Sequence, residues 1–201
     1  MIDMFRNSKS RMEAISDGVF AVVLTIMVLD IKAPMANISD YEIQRLMMQL
    51  LSYLISFGVV AQYWVLHQEL FTTLKTTTFK IMVANIYYLC PICLIPFATT
   101  WLSSSFISSE SAIGFAILMF IVNVSQLWLF HLVIEQNRHD GQRIIEHDVE
   151  EFRSVKVMVA ISIVYIGVSL LMPKFLLAAI ALGILSRVLI TRGIRFYLER
   201  Q

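Results

Sequence analysis

A carboxylate set in an apolar run is the most conspicuous chemistry in this sequence: Asp17 follows Ser16 and precedes Gly-Val-Phe-Ala-Val-Val-Leu. Ionisable groups at membrane depth are costly and mark a functional or structural polar site. Arg11 lies six positions earlier, so the two do not stack as an i,i+4 pair. Asp17 therefore either pairs with another helix or caps and solvates the start of its own. Beside it runs a narrow stripe. Gly18, Val22, Thr25 and Leu29 stay within roughly 40° of one line at about 100° per residue, with Asp17 about 100° away. Such a stripe can be a helix–helix seam, its small residues allowing close approach, and the spacing by itself favours this. If several copies met at a symmetry axis, it would instead line a pore. Val22 and Leu29 would then form rings that gate by dewetting, and Thr25 hydroxyls would face the ion.

Other reactive residue types carry less. Cys90-Pro91-Ile92-Cys93 has the C-x-x-C redox spacing but lies in a long apolar helix with no βαβ pattern around it. Pro91 and Pro96 are expected to kink that helix. His131 and Glu135, at i,i+4, could ligate a divalent metal, but read better as a boundary histidine before a solvated loop. His139-Asp140 and His147-Asp148 read as loop charge. The arginines at 187, 192, 195 and 200 recur near helical spacing and suit anionic headgroups. No Ser/His/Asp triad, H-E-x-x-H or phosphate loop occurs, so there is no nucleophile or base to name and no enzyme is expected. No metal or cofactor is expected either.

The elements that must position these residues follow from composition. Of 201 residues 58% are hydrophobic and only 15% charged, with mean hydropathy +0.72; soluble domains run at about 45–50% and about 25%. A soluble chain of this length cannot hide so much apolar surface, so the chain belongs in a membrane. Its formal charge of +1 points to no nucleic-acid partner. A crossing helix needs about 20 residues. Charge-free gaps of 23 residues (Arg45 to Glu69), 29 (Lys80 to Glu110) and 24 (Glu110 to Glu135) locate three spans. The expected set is 14–31, 47–66, 80–102, 112–134, 155–172 and 175–191, within one domain over 1–201. Pro173-Lys174 makes the tight turn between the last two. The basic start before the first span is reminiscent of a secretory signal, but Asp17 and Asp30 bracket the run and no small-residue cleavage site follows. The 32–46 loop, with Pro34, Asn37, Ser39 and Asp40, is a turn-rich connection leading to a capped second helix. With six spans, only Lys32, Arg45 and Lys174 of the 16 basic residues fall on one side. The positive-inside bias therefore puts both termini in the cytoplasm.

Three motifs then stand in order. Arg11-Met12-Glu13-Ala14-Ile15-Ser16-Asp17 resembles the R-x-x-x-F-S-D signature of the transmembrane protein 175 family, the endosomal and lysosomal potassium channels and their bacterial relatives. Tyr63-Trp64-Val65-Leu66-His67-Gln68-Glu69-Leu70-Phe71 is similar to that family's Y-W-x-x-H-x-x-L-F. Asn85 with Leu94-Ile95-Pro96-Phe97-Ala98-Thr99 is similar to its N…L-x-P-F-x-T. Ile15 stands where the signature has Phe. The resemblance covers the first hundred residues well and the second hundred by span count.

The resemblance implies an all-α polytopic membrane protein with six transmembrane helices per subunit, a pore lined by the first helix, and a homotetramer, the bacterial single-signature form. By position the family's gate falls on Val22, its threonine layer on Thr25 and the next constriction on Leu29, with Gly18 at the pore mouth. Arg11, Ser16, Asp17, Trp64, His67 and Asn85 would form a polar network among the first three helices, fixing the pose of the pore helix. The implied activity is potassium-permeable, modestly selective cation conduction, because no T-V-G-Y-G filter segment is present. The partners would be the lipid bilayer and monovalent cations, with potassium as the permeating ion. The setting would be a cell membrane, the inner membrane in a bacterium. The alternative is a proton-coupled secondary transporter using Asp17 and His67. Transporters usually carry inverted repeats, and none is evident here.

Overall fold

The computed structural model describes residues 8–33, 39–104, 108–141 and 146–198, with side chains described for 9–33, 39–104, 108–141 and 151–187. Expectations placed on Pro34, Asn37, His147, Asp148, Arg192, Arg195 and Arg200 lie outside the described side chains.

Seven α-helices make up the described chain: α1 Ser8–Ile26, α2 Asp40–Thr73, α3 Phe79–Cys93, α4 Ile95–Ser104, α5 Ser109–His139, α6 Glu146–Leu171 and α7 Leu176–Leu198. Three of the starts are capped by a hydroxyl. Ser39 and Glu42 form a capping box at α2, with Glu42 N–H donating to Ser39 Oγ at 3.3 Å and Ser39 N–H to Glu42 Oε2 at 3.2 Å. Thr78 caps α3 and Ser108 caps α5 through their hydroxyls. The end of α1 tightens into a 3₁₀ turn, Met27–Asp30, before extended backbone at Ile31. The expected span 80–102 falls within one helical stretch, Phe79–Ser104, interrupted at Leu94 between the two prolines expected to kink it. Pro96 has no N–H to give the preceding turn. The ladder therefore breaks at Leu94, whose N–H bonds Pro91 O at 3.1 Å while its own carbonyl accepts from Ala98 at 3.0 Å.

Among the described residues five helical stretches are long and apolar enough to cross a membrane: Lys9–Asp30, Asp40–Thr73, Phe79–Ser104, Ser109–His139 and Glu151–Leu171. The 3₁₀ turn Pro173–Phe175 leads into α7, the helix of the sixth expected segment. α1 packs against α2 and α3; α5 packs against α3, α4 and α6; α7 lies on α2 and α6. Phe20, Phe71, Tyr88, Phe115 and Phe130 are fully buried among them.

The α6–α7 contact is close because Gly183 leaves room for the Tyr165 hydroxyl, which a Cβ there would overlap. Gly183→Ala is expected to cost about 1–3 kcal/mol by overpacking, read as a lower thermal unfolding midpoint in detergent. An unchanged midpoint would show that Tyr165 swings clear.

At the other end of the bundle, Gly141 turns the chain at φ 69° after α5. Asp140, one of the loop charges, has a structural partner: Thr76 donates its hydroxyl to Asp140, and Gln136 Nε2 donates to Asp140 Oδ1 at 3.0 Å. The Thr76 bond, ahead of the other contacts, holds the Asp140 carboxyl below its usual range. This tie is therefore kept above the ordinary carboxylate value and lost as pH falls through the lowered one.

Candidate functional site

α1 has two unlike faces. Met12, Ser16, Phe20, Val23 and Met27 recur at helical spacing and are buried against the helices of the same chain. The opposite face carries Gly18, Val22, Thr25 and Leu29, all exposed, Val22 by 53% and Leu29 by 77%. The helices that bury α1, namely α2 and α3, lie on its other side, while Gly18 and Val22 open on a groove whose far wall is α4. Thr25 Oγ1 lies 2.9 Å from the carbonyls of both Ala21 and Val22. Its proton is thus held by the helix backbone, and the oxygen lone pairs are left to the exposed side.

The buried face is fixed by polar contacts at the end nearer the N-terminus. His67 Nε2 lies 2.8 Å from Asn85 Oδ1, Asn85 Nδ2 donates to Ser16 Oγ at 2.9 Å, and Ser16 donates to Met12 O at 2.9 Å. Asn85 uses its amide nitrogen on Ser16, so its oxygen accepts from His67 and the imidazole carries its proton on Nε2. All three residues are buried. Aromatic rings wall off the imidazole: Phe71 at 4.4 Å, Phe20 at 5.7 Å and Tyr88, stacked, at 5.8 Å between centroids. A chain of donors all pointing one way polarises itself in such surroundings.

Asp17 belongs to a second set. Trp64 Nε1 donates to Asp17 Oδ1 at 3.0 Å, and Gln68 Nε2 donates to the same oxygen. Both donors stand on α2, so Asp17 is tied to α2 alone while Ser16 carries the link to α3. Arg11 is exposed and has no hydrogen bond or ion pair among the described residues. Lys9 does what the signature arginine does not: its Nζ donates to Leu74 O at the end of α2 at 2.6 Å and lies 3.6 Å from Glu13.

Gln68 and Lys9 were not singled out by sequence. Gln68 had a signal, since it sits one helical turn after Trp64 on the same face. Cys90 and Cys93 are free and exposed. No group of three or more His, Cys, Asp or Glu side chains could hold a metal among the described residues. Between α1 and α4 lies a groove of about 810 Å³, lined by Ile15, Gly18, Val22 and Ile26 on one wall and Pro96 and Phe97 on the other. Ile15 faces this groove, 61% exposed, so the ring it replaces has no place in the subunit core.

Residues 11–96, the stretch that contains both polar sets and the stripe, match the family model described as endosomal/lysosomal potassium channel TMEM175. The chain belongs to the TMEM175 family. Among TMEM175-like relatives it is 34% identical over 127 residues to a potassium channel of Chryseobacterium sp. (strain P1-3), covering 63% of this chain and 66% of that one. It is 34% identical over 100 residues to a potassium channel of Streptomyces collinus, covering 48% of each. These alignments span two-thirds or less of the relatives' own length. The structure superposes on the crystal structure of a lysosomal potassium-selective channel TMEM175 homolog from Chamaesiphon minutus with a TM-score of 0.79 at 22% identity. That match covers 91% of this chain and 98% of the other, which establishes the shared fold. This TMEM175 chain is thus an all-α, multi-pass membrane protein.

Proposed function

We propose that four copies of this chain assemble around α1 to form a potassium-permeable channel. The observation that carries the reading is the two-faced α1: one face buried and tied to α2 and α3, the other exposed from Gly18 to Leu29. An uncovered stripe on a helix so firmly held is suited to face a symmetry axis. Val22 and Leu29 then form apolar constrictions, and Thr25 presents oxygen lone pairs to a cation shedding water. That the relatives above are potassium channels supports the choice of ion. The basic-residue bias puts both termini in the cytoplasm, with Lys32, Arg45 and Lys174 outside.

A carrier relaying protons between Asp17 and His67 has less support. Asp17 is held by Trp64 and Gln68, and His67 by Asn85, so the two belong to separate hydrogen-bond chains.

The test is flux from liposomes holding purified protein, with reversal potentials under potassium and sodium gradients. Potassium flux is expected, and Thr25→Val is expected to bring potassium and sodium permeabilities close to equal while leaving total flux measurable. Protein that passes no potassium, or a Thr25→Val variant as selective as wild type, overturns this assignment.

A further inference from the structure

We propose that Asp30 and Thr100 form a tether through which α4 positions the Leu29 constriction; the inference rests on the channel reading above. Four observations meet here. The 3₁₀ turn Met27–Asp30 winds the end of α1 more tightly, which buries Met27, leaves Leu29 77% exposed and turns Asp30 toward α4. There Thr100 Oγ1 donates to Asp30 Oδ2 at 2.7 Å. Asp30 and Thr100 both line the groove that separates α1 from α4. Among the described residues theirs is the only hydrogen bond across it. Lastly, the regular helix is interrupted between α3 and α4 at Leu94, next to Pro91 and Pro96. A kink of this kind is the point at which the tilt of α4 can differ from that of α3, which holds Asn85.

The physical consequence is a lever. One end of α1 is anchored to α2 and α3 by Asp17, Ser16 and Lys9. The Leu29 end follows α4 through a single charge-assisted bond. The second residue past the turn is also anchored, since Lys32 N–H donates to Gln49 Oε1 on α2 at 3.2 Å. That bond fixes the backbone beyond the turn and leaves the rotation of Leu29 to Asp30. Tilting α4 toward or away from the groove moves Thr100, and with it the carboxylate one residue from Leu29. Asp30 and Thr100 are positioning residues: neither lies on the exposed stripe, and both act through Leu29.

A hydrogen bond to a charged group is strong enough that its loss shifts a two-state balance by about tenfold or more. The experiment records single-channel currents and potassium-to-sodium reversal potentials for Asp30→Ala, Asp30→Asn, Thr100→Val, Thr100→Ser and the double variant Asp30→Ala/Thr100→Val. Asp30→Ala and Thr100→Val are each expected to change open probability about tenfold and to shift the permeability ratio. The double variant is expected to match either single one, since one bond is lost in all three. Thr100→Ser keeps the hydroxyl and is expected to behave as wild type. Asp30→Asn keeps an accepting oxygen without the charge, so a change smaller than that of Asp30→Ala is expected. If Asp30→Ala fails to yield folded protein, Thr100→Val, a nearly isosteric change, carries the test.

A conducting wild type overturns this proposal alone if the two changes add, or if Asp30→Asn is as altered as Asp30→Ala while Thr100→Val is silent. The second pattern would mark Asp30 as a field charge rather than a tether. Wild-type protein that passes no potassium overturns the channel reading and this one with it.

Discussion

Asn85→Leu is expected to lower the thermal unfolding midpoint of the purified protein, and Asn85→Leu combined with His67→Phe to recover most of the loss. Asn85 joins two groups of unequal standing. Ser16 keeps its own acceptor, the Met12 carbonyl, when the amide is removed. His67 keeps nothing, because its Nδ1 already lacks a partner and Nε2 loses the one it had. A buried donor left unmade costs about 1–3 kcal/mol, whereas single side-chain bonds between membrane helices average about 0.6 kcal/mol and reach about 1.7. The rings of Phe20, Phe71 and Tyr88 deny the imidazole any replacement, so the upper part of the membrane range applies, about 1–2 kcal/mol. The double variant removes both partners and leaves apolar groups facing one another, which is close to neutral. Midpoints measured in one detergent for the two singles and the double decide the matter. A double variant weaker than either single one would mean that His67 stabilises the bundle by its shape and not through Asn85.

Val22→Ala is expected to raise resting potassium flux about tenfold, the change that about 1.4 kcal/mol off a barrier produces, with the unfolding midpoint held. The two halves of this expectation come from different properties of one position. Val22 is 53% exposed and packs into no core of its own chain, so truncation falls within the ±0.5 kcal/mol or so typical of surface changes. In a tetramer, however, each valine contributes two methyls to a ring that excludes water by its apolar rim. Removing them widens the ring and lowers the cost of wetting it. Flux from liposomes at zero applied voltage reads the first half and a melting curve the second. Unchanged flux in a stably folded variant would take Val22 off the conduction path. Leu29 would then stand as the narrow point.

Much of this site could be read from residue types, and the reason differs from residue to residue. Asp17 was conspicuous because charge is scarce in the chain, and its distance of six positions from Arg11 left two readings open, a partner on another helix or a cap on its own. The bonds from Trp64 and Gln68 decide for the first. Pro91 and Pro96 announced a disturbed third span by removing N–H donors, although not that the interruption would fall at Leu94. The stripe was harder. Helical periodicity marks Gly18, Val22, Thr25 and Leu29 as one face and Met12, Ser16, Phe20, Val23 and Met27 as another with equal clarity. In a bilayer both faces can be apolar, because lipid and protein interior are similar solvents. Hydropathy therefore does not say which face meets the chain's own core. The Asp30–Thr100, Lys9–Leu74 and Gln68–Asp17 contacts were out of reach for another reason. Each joins residues more than fifty positions apart, and periodicity fixes a residue's direction around its own helix but not that helix's rotation against its neighbours.

The bare face of α1 also bears on how such a protein changes over generations. Val22, Thr25 and Leu29 are exposed in the subunit, whereas the residues that hold the bundle together lie on the far side of the same helix. If the proposed pore is right, substitutions along this face would alter what passes through the membrane with little effect on whether the subunit folds. Conductance could then diverge between lineages while the scaffold beneath it stays the same.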